Sequence, residues 1–119
     1  MPDATTPVGE LREMMRRFVT ERDWGQFHSP KNLAMALAAE AAELMEHFLW
    51  IDNDESRRQM HDPKRRGPVC DEIADVLGVL LALCNALDVD LSEAFRQKMA
   101  KNVFKYPVEQ IRGRYRLEE

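Results

Sequence analysis

Two pairs of carboxylates, each set in an apolar, helix-forming run, constrain this sequence most strongly. Glu40 and Glu43 form the first pair, and Glu72 and Asp75 form the second. Residues three apart lie on one side of an α-helix, so each pair can point in one direction. Four carboxylates facing one another repel strongly unless a cation lies between them. Because oxygen ligands suit a hard divalent ion, the pattern predicts a site for Mg2+ or Mn2+.

The spacing of apolar residues predicts an all-α, four-helix-bundle-like fold with four main helices and a short connector helix. The predicted main helices run from Val8 to about Arg22, from about Lys31 to Ile51, from about Pro68 to Leu87, and from Leu91 to about Lys105. Asp54 is the predicted cap of the connector helix, which extends to about Met60. We expect one domain over residues 1–119, with residues 1–7 and about 112–119 flexible or packed on a partner.

The third main helix is apolar almost all round, so we expect it to be central and partly covered by a partner subunit. Glu72 and Asp75 are costly on such a helix, because no Lys or Arg in its next turns can pair with them. This is the strongest argument from the residues alone for a bound metal ion. The basic run between residues 57 and 66 favours a mobile, solvated loop, with a lid over phosphates as the alternative.

Composition and charge exclude several classes of partner. A net charge of -4 argues against a nucleic-acid polymer, whose binding needs clustered Lys and Arg. The longest apolar run, residues 76–86, is too short to span a membrane. Two cysteines without a C-x-x-C spacing, together with a polar start, predict reduced thiols in a cytoplasmic protein.

Aromatic and polar side chains near the predicted helix ends suggest a ligand pocket. Trp24, Phe27 and His28 lie in one loop, where they either close the end of the core or form a wall for a base. Lys98 and Asn102 share one flank of the last main helix, which Tyr106 and the following proline end. The residues alone leave both interpretations of the loop open.

These stretches together resemble the all-α NTP pyrophosphohydrolases of the MazG-like superfamily, and within it the dCTP pyrophosphatase branch. The resemblance rests on the two acidic pairs, the stretch from Trp24 to Leu33, the Phe48-Leu-Trp50 run, and Lys98-Met-x-x-Asn102 followed by Tyr106-Pro107. It covers most of residues 18–110.

The resemblance implies an enzyme that hydrolyses the α–β phosphoanhydride of dCTP or a modified pyrimidine deoxynucleotide. Its products would be a monophosphate and pyrophosphate, as in cleansing of the nucleotide pool. The implied metal ligands are Glu40, Glu43, Glu72 and Asp75, which would hold Mg2+ and help activate a water; Glu43 is the candidate general base. Implied substrate contacts are Trp24, Phe27, His28 and Trp50 around base and sugar, and Lys98, Asn102 and Tyr106 near phosphates or sugar.

The resemblance also implies a homodimer or homotetramer. It leaves the base preference open, because Val79 stands where the dCTP branch often has an aromatic residue. A dUTP or purine triphosphate substrate is therefore an alternative.

Two other classes of protein also place carboxylates on helices. A di-iron bundle needs Glu-x-x-His on two helices, whereas Leu44 stands three residues before His47, so we set this class aside. A non-catalytic oligomerisation or partner-binding module would leave Glu72 and Asp75 exposed or paired with Arg, and metal would not stabilise it.

Overall fold

The protein is described by a computed structural model, which covers residues 1–115 and is all-α over that range. Six α-helices follow one another: α1 (Val8–Glu21), α2 (Pro30–Glu46), α3 (Asn53–Arg58), α4 (Pro63–Leu87), α5 (Leu91–Lys105) and α6 (Val108–Ile111). Short 3-10 turns occupy Asp3–Thr5, Gly25–Phe27 and Gln59–His61. The predicted all-α class, with four main helices and a short connector helix, is confirmed.

The chain divides into two compact units, of which the first ends at Asp88. In the first unit α4 packs against α1, α2 and the 3-10 turn at 59–61, so the prediction that this helix is central is confirmed. The buried apolar residues of this unit are Leu33, Val69, Leu81, Ala82 and Cys84. Four of these five lie on α4, which therefore supplies most of the buried core.

A polar contact fixes α1 on α4 within this apolar packing. Asn85 Oδ1 accepts hydrogen bonds from Arg12 Nε at 3.0 Å and from Arg16 Nη2 at 3.1 Å. Its Nδ2 donates to the backbone carbonyl of Arg12 at 3.1 Å. The amide thus uses its oxygen and its nitrogen on one neighbouring helix, which sets how α1 lies along α4.

The second main helix ends earlier than the spacing predicts. It stops at Glu46 instead of Ile51, so that prediction is wrong by about one turn. The N–H groups of His47 and Phe48 bond to carbonyls three residues back, and Trp50 has a left-handed backbone with φ of 65°. Because a helix cannot continue through that conformation, Trp50 does not extend the α2 face that carries the carboxylates.

The connector is helical and held in place. Asp52, not Asp54, caps α3, since its Oδ1 accepts from the N–H of Glu55 at 2.8 Å. Glu55 then pairs with Arg58 of the same helix and with Arg65 of α4, which lowers the pKa of Glu55, through Arg65 first and Arg58 second. The basic run from 57 to 66 therefore lies largely within helices and not in a loop.

The third main helix begins five residues before the predicted start. Asp62 caps it, accepting from the N–H of Lys64 at 3.0 Å, and Pro63 takes the first helical position. Pro68 lies inside the helix. Because proline has no N–H, the helix lacks one hydrogen bond here, the one to the carbonyl of Lys64. Lys64 lies in the exposed first turn, where water can bind that carbonyl.

The second unit begins at Val89 and contains α5 and α6. Asp90 caps α5, with its Oδ1 accepting from the N–H of Glu93 at 3.0 Å. The predicted bounds of this helix are confirmed at both ends. Of the predicted tail at about 112–119, residues 116–119 lie outside the described residues.

Two further features of the first unit matter below. An apolar groove of about 340 Å³ runs between α1 and α4, lined by Leu11, Met14, Met15, Phe18, Ala74, Leu77, Gly78 and Leu81. Cys70 is exposed and Cys84 buried, and both are free thiols.

Within the described residues, no helix combines the length and hydrophobicity that crossing a bilayer requires.

Candidate functional site

Three carboxylates from two helices converge in the first unit. Glu40 and Glu43 come from α2, one turn apart, and Glu72 comes from α4. One oxygen of each lies within 4.8 Å of the others. Two oxygens on opposite sides of one divalent ion lie about 4–5 Å apart, so the cluster has the dimensions of a single cation site.

The cluster is electrostatically unfavourable without a proton or a cation. Glu40 Oε2 and Glu72 Oε1 are buried and have no hydrogen-bond partner among the described residues when both groups are ionised. The contact with Glu40, then that with Glu43, then loss of water raise the pKa of Glu72 to about 8. A carboxyl group that keeps its proton near neutral pH marks a position where positive charge is needed. The three residues therefore fit a hard divalent cation.

Asp75 stands outside this triad but borders the same region. A cavity of about 290 Å³ lies between α1, α2 and α4, with Glu40 and Asp75 as its acidic residues. The rest of its lining is Met15, Phe18, Ala74, Gly78 and Val79. The cavity thus offers carboxylate oxygens on one side and apolar groups on the other, which suits a ligand with a charged end and an apolar ring.

The aromatic loop before α2 does not line this cavity but contacts one of its lining residues. Trp24 packs edge-on against Phe18, with ring centroids 5.6 Å apart at 79°, and Phe18 lines the cavity. The guanidinium of Arg22 covers the Phe18 ring at 3.9 Å. Phe27 is 61% exposed and Trp50 is 98% exposed, and neither lines the cavity.

His28 lines a different cavity. This second cavity, of about 370 Å³, is formed by Arg16, Val19, Thr20, Gly25, His28, Pro30, Ala82, Asn85 and Ala86. It shares no residue with the carboxylate cavity. His28 therefore lines a cavity other than the one that contains Glu40 and Asp75.

The remaining candidates belong to the second unit. Lys98 and Asn102 lie four residues apart on α5, hence on one face of it, and Tyr106 follows the helix as its C-cap. Lys105 places its Nζ 5.3 Å from the centre of the Tyr106 ring. Their assignment to phosphates or sugar stays a prediction.

Sequence reasoning missed part of the cavity wall. Met15, Phe18 and Gly78 line it, and none of them is among the site residues expected from the sequence. Gly78 was detectable, because it follows Asp75 by three residues and so shares its face of α4. Met15 and Phe18 reach the cavity only through the packing of α1, which local spacing does not reveal.

Several known proteins are similar to this chain. A family profile described as MazG-like matches residues 35–115, which include all four carboxylates. The dCTP pyrophosphatase 1 of Mus musculus is 42% identical over 104 residues, which are 87% of this chain and 61% of that protein. The Homo sapiens protein of the same name is 39% identical over 104 residues. The chain thus spans about three fifths of the length of these curated relatives.

A solved structure gives the same picture of the fold. The crystal structure of a pyrophosphatase from Archaeoglobus fulgidus superposes with a TM-score of 0.78 at 42% sequence identity. The match covers 84% of this chain and 92% of the archaeal chain. With the profile matching more than half of its residues, the chain belongs to the MazG-like family.

Proposed function

We propose that this protein is a divalent-metal-dependent nucleoside triphosphate pyrophosphohydrolase. Its substrate would be dCTP or a modified pyrimidine deoxynucleotide, and its products the monophosphate and pyrophosphate. The observation that carries the proposal is the convergence of three carboxylates with two unpartnered, buried oxygens beside an apolar cavity. The names of the relatives support the same chemistry.

Glu40, Glu43 and Glu72 would hold the cation, and Asp75 would approach it from the cavity side. Mg2+ is the proposed ion, with Mn2+ as a substitute, because all the donors are carboxylate oxygens. When bound, a divalent cation supplies positive charge that offsets the charge of the triphosphate and polarises its phosphoryl oxygens.

Glu43 is the proposed general base. It is the exposed member of the triad, whereas Glu40 and Glu72 are half-buried. An exposed carboxylate oxygen can meet a water molecule that approaches a phosphorus atom from solvent and accept its proton. Glu40 and Glu72 would hold the geometry around it.

The apolar side of the carboxylate cavity would receive the base. Met15, Phe18 and Val79 line it, and Trp24 packs edge-on against Phe18. Val79 is smaller than the aromatic residue often found there in the dCTP branch, so dUTP or a purine triphosphate is the alternative substrate. Roles for Phe27, His28 and Trp50 around the base and sugar, and for Lys98, Asn102 and Tyr106 near phosphates or sugar, remain predictions from the resemblance.

The non-catalytic alternative fits the site less well. It requires Glu72 and Asp75 to be exposed or paired with Arg. Asp75 is exposed, but Glu72 is half-buried and has a buried oxygen with no partner among the described residues. A structural module gains nothing from three carboxylates placed within 4.8 Å of one another.

We also propose that the protein is cytoplasmic and forms a homodimer or homotetramer. Two free thiols are in keeping with a reducing compartment. Apolar side chains in the groove between α1 and α4 would be covered by a second copy, which is tested below.

The proposed reaction is tested by pyrophosphate release from a panel of deoxynucleoside and modified deoxynucleoside triphosphates, with Mg2+ and with EDTA. We expect Mg2+-dependent release of monophosphate and pyrophosphate, fastest with a pyrimidine. Glu43→Gln should lose about 10²–10⁴-fold in kcat, the usual contribution of a general base. Glu46→Gln is the matched control, because Glu46 ends the same helix outside the cluster and should keep full activity.

Two results would contradict the proposal. One is the absence of turnover of every triphosphate together with no rise in melting temperature when Mg2+ is added. The other is equal loss of activity in Glu43→Gln and Glu46→Gln, which would show that the cluster has no special part in the reaction.

A further inference from the structure

The carboxylate cavity lies on one side of the triad of Glu40, Glu43 and Glu72 along the α2–α4 pair. Glu40 belongs to both the triad and the cavity lining, whereas Glu43, one turn later on α2, belongs to the triad alone. On α4, Glu72 belongs to the triad, and the cavity lining continues toward the C-terminal end of that helix, from Ala74 to Val79. The cavity is therefore reached from the triad by moving toward the N-terminal end of α2.

His47 lies on the opposite side of the triad. It is the C-cap of α2 and keeps helical backbone angles, with φ of -69° and ψ of -11°. At 3.6 residues per turn its side chain points within about 20° of that of Glu40, and it stands about 6 Å beyond Glu43 along the helix axis. The α2 face that carries the triad thus continues to His47, in the direction away from the cavity.

The side chain of His47 is not used by the fold. It is half-buried, but it forms no hydrogen bond or ion pair with residues 1–115. A histidine at a helix end can donate to carbonyl oxygens of the last turn, whereas His47 bonds to Leu44 through its backbone N–H alone. Its ring nitrogens are not among the buried atoms that lack a partner, so solvent reaches them. An imidazole therefore offers an N–H donor to a ligand at this end of the triad.

A nucleoside triphosphate has its groups in the same linear order as these three parts of the helix pair. Its base and sugar come first, followed by the α-phosphate and then by the β- and γ-phosphates. With the base in the cavity and the α–β phosphoanhydride at the triad, the terminal phosphates extend away from the cavity, toward the C-terminal end of α2. His47 lies on that path.

We propose that His47 binds the terminal phosphates of the substrate, and hence the pyrophosphate that hydrolysis releases. This inference rests on the proposed function and adds a binding residue to it. The imidazole N–H donates to an anionic phosphate oxygen, which makes a stronger hydrogen bond than a neutral acceptor does. Because the phosphate of a monophosphate ends at the triad, His47 favours a triphosphate or pyrophosphate over the monophosphate product.

The test is calorimetric titration of the full chain in Mg2+ with pyrophosphate and, separately, with dCMP, so that the readout does not depend on turnover. We expect His47→Leu to weaken pyrophosphate binding about tenfold or more, because the lost hydrogen bond has a charged acceptor. Binding of dCMP should stay unchanged. His47→Gln keeps an N–H donor and should restore much of the affinity for pyrophosphate. His61→Leu, the same change at an exposed histidine outside α2, is the control and should bind both ligands as the wild type does.

Circular dichroism and the melting temperature in EDTA show whether each variant folds. If His47→Leu does not fold, His47→Phe, which keeps a planar ring but has no donor, replaces it in the comparison.

The results distinguish this inference from the proposed function. Absence of turnover of every triphosphate would contradict the reaction, whereas the binding data alone decide the role of His47. That role is overturned if the wild type does not bind pyrophosphate in Mg2+, or if the folded donor-free variant binds it with wild-type affinity. Equal weakening of pyrophosphate and dCMP binding would overturn it as well, since it would indicate a general disturbance of the site.

Discussion

Glu72 has a raised pKa because it lies in a cluster of carboxylates. It lies against Glu40 and Glu43, and these contacts, with loss of water, raise its pKa to about 8. Near neutral pH the metal-free folded protein therefore holds a proton that an unfolded glutamate, with a pKa of 4.5, has released. A divalent cation would offset the negative charge that this proton offsets in the metal-free protein.

The pH dependence of stability follows with a definite sign. Between about pH 4.5 and about pH 8 the folded metal-free protein binds more protons at Glu72 than the unfolded chain does. Its free energy of unfolding should therefore fall as the pH rises through this range. Glu72→Gln has no proton to lose, so its melting temperature in EDTA should decline less over the same range.

Thermal unfolding of both proteins at several pH values checks this prediction. Glu46→Gln is the control and should follow the wild type, because Glu46 lies outside the cluster. Saturating Mg2+ should flatten the wild-type profile and leave that of Glu72→Gln nearly unchanged. Parallel wild-type and Glu72→Gln profiles in EDTA would show that Glu72 titrates normally.

At the scale of helices, the starts of α2 and α5 were predictable, because a side chain caps the backbone close by. The starts of α3 and α4, which Asp52 and Asp62 cap, were placed wrongly. Ser29 accepts from the N–H of Asn32 and Asp90 from that of Glu93, both three residues away. Such signals are local, so spacing and residue type are enough to find them. Helix ends and proline positions were less predictable. Pro68 was read as a start, although an exposed early turn of α4 tolerates the loss of one hydrogen bond.

The joint between α1 and α4 depends on residues about 70 positions apart, which no local pattern reveals. Asn85→Ala would remove the acceptor of Arg12 Nε and of Arg16 Nη2 and the side-chain donor to the Arg12 carbonyl. We expect a loss of about 2 kcal/mol in the free energy of unfolding. Urea denaturation measures it. Asn53→Ala, at an exposed position whose side chain forms no hydrogen bond with the described residues, should change stability by less than about 0.5 kcal/mol. If both variants changed the free energy of unfolding by the same amount, the hydrogen bonds of Asn85 would contribute nothing specific to stability.

For the whole molecule, the distribution of apolar surface points to assembly. In the first unit Ile73 is 51% exposed and Leu77 is 40% exposed on α4, and Leu77 lines the apolar groove against α1. Neighbouring apolar groups left in water favour association with a complementary surface. A second copy of the chain is the partner that the resemblance implies.

Leu77→Glu tests this assembly. A carboxylate in the groove would have to be desolvated at the interface, so we expect the variant to shift to monomer at concentrations where the wild type is a dimer or tetramer. Light scattering coupled to size-exclusion chromatography gives the mass. Ala38→Glu, an exposed change on α2 outside the groove, should retain the wild-type mass. A monomeric wild type would contradict the prediction outright.

The same contrast between local and distant information holds for the site. Spacing alone identified Glu40, Glu43 and Glu72, because residues three apart on a helix share a face and buried carboxylates need compensation. It could not show that Met15 and Phe18 of α1 close the cavity beside them, or that His28 lies in another one. These positions depend on how the helices pack.

Because the two tryptophans differ in solvent exposure, tryptophan fluorescence can report binding to this protein. Trp24 is held edge-on against Phe18, while Trp50, in its left-handed turn, is 98% exposed. Emission from Trp50 should therefore be that of indole in water and quenched readily by iodide, whereas Trp24 should be better shielded. Any partner, substrate or second subunit that covers Trp50 would shift this emission to shorter wavelength, without any label.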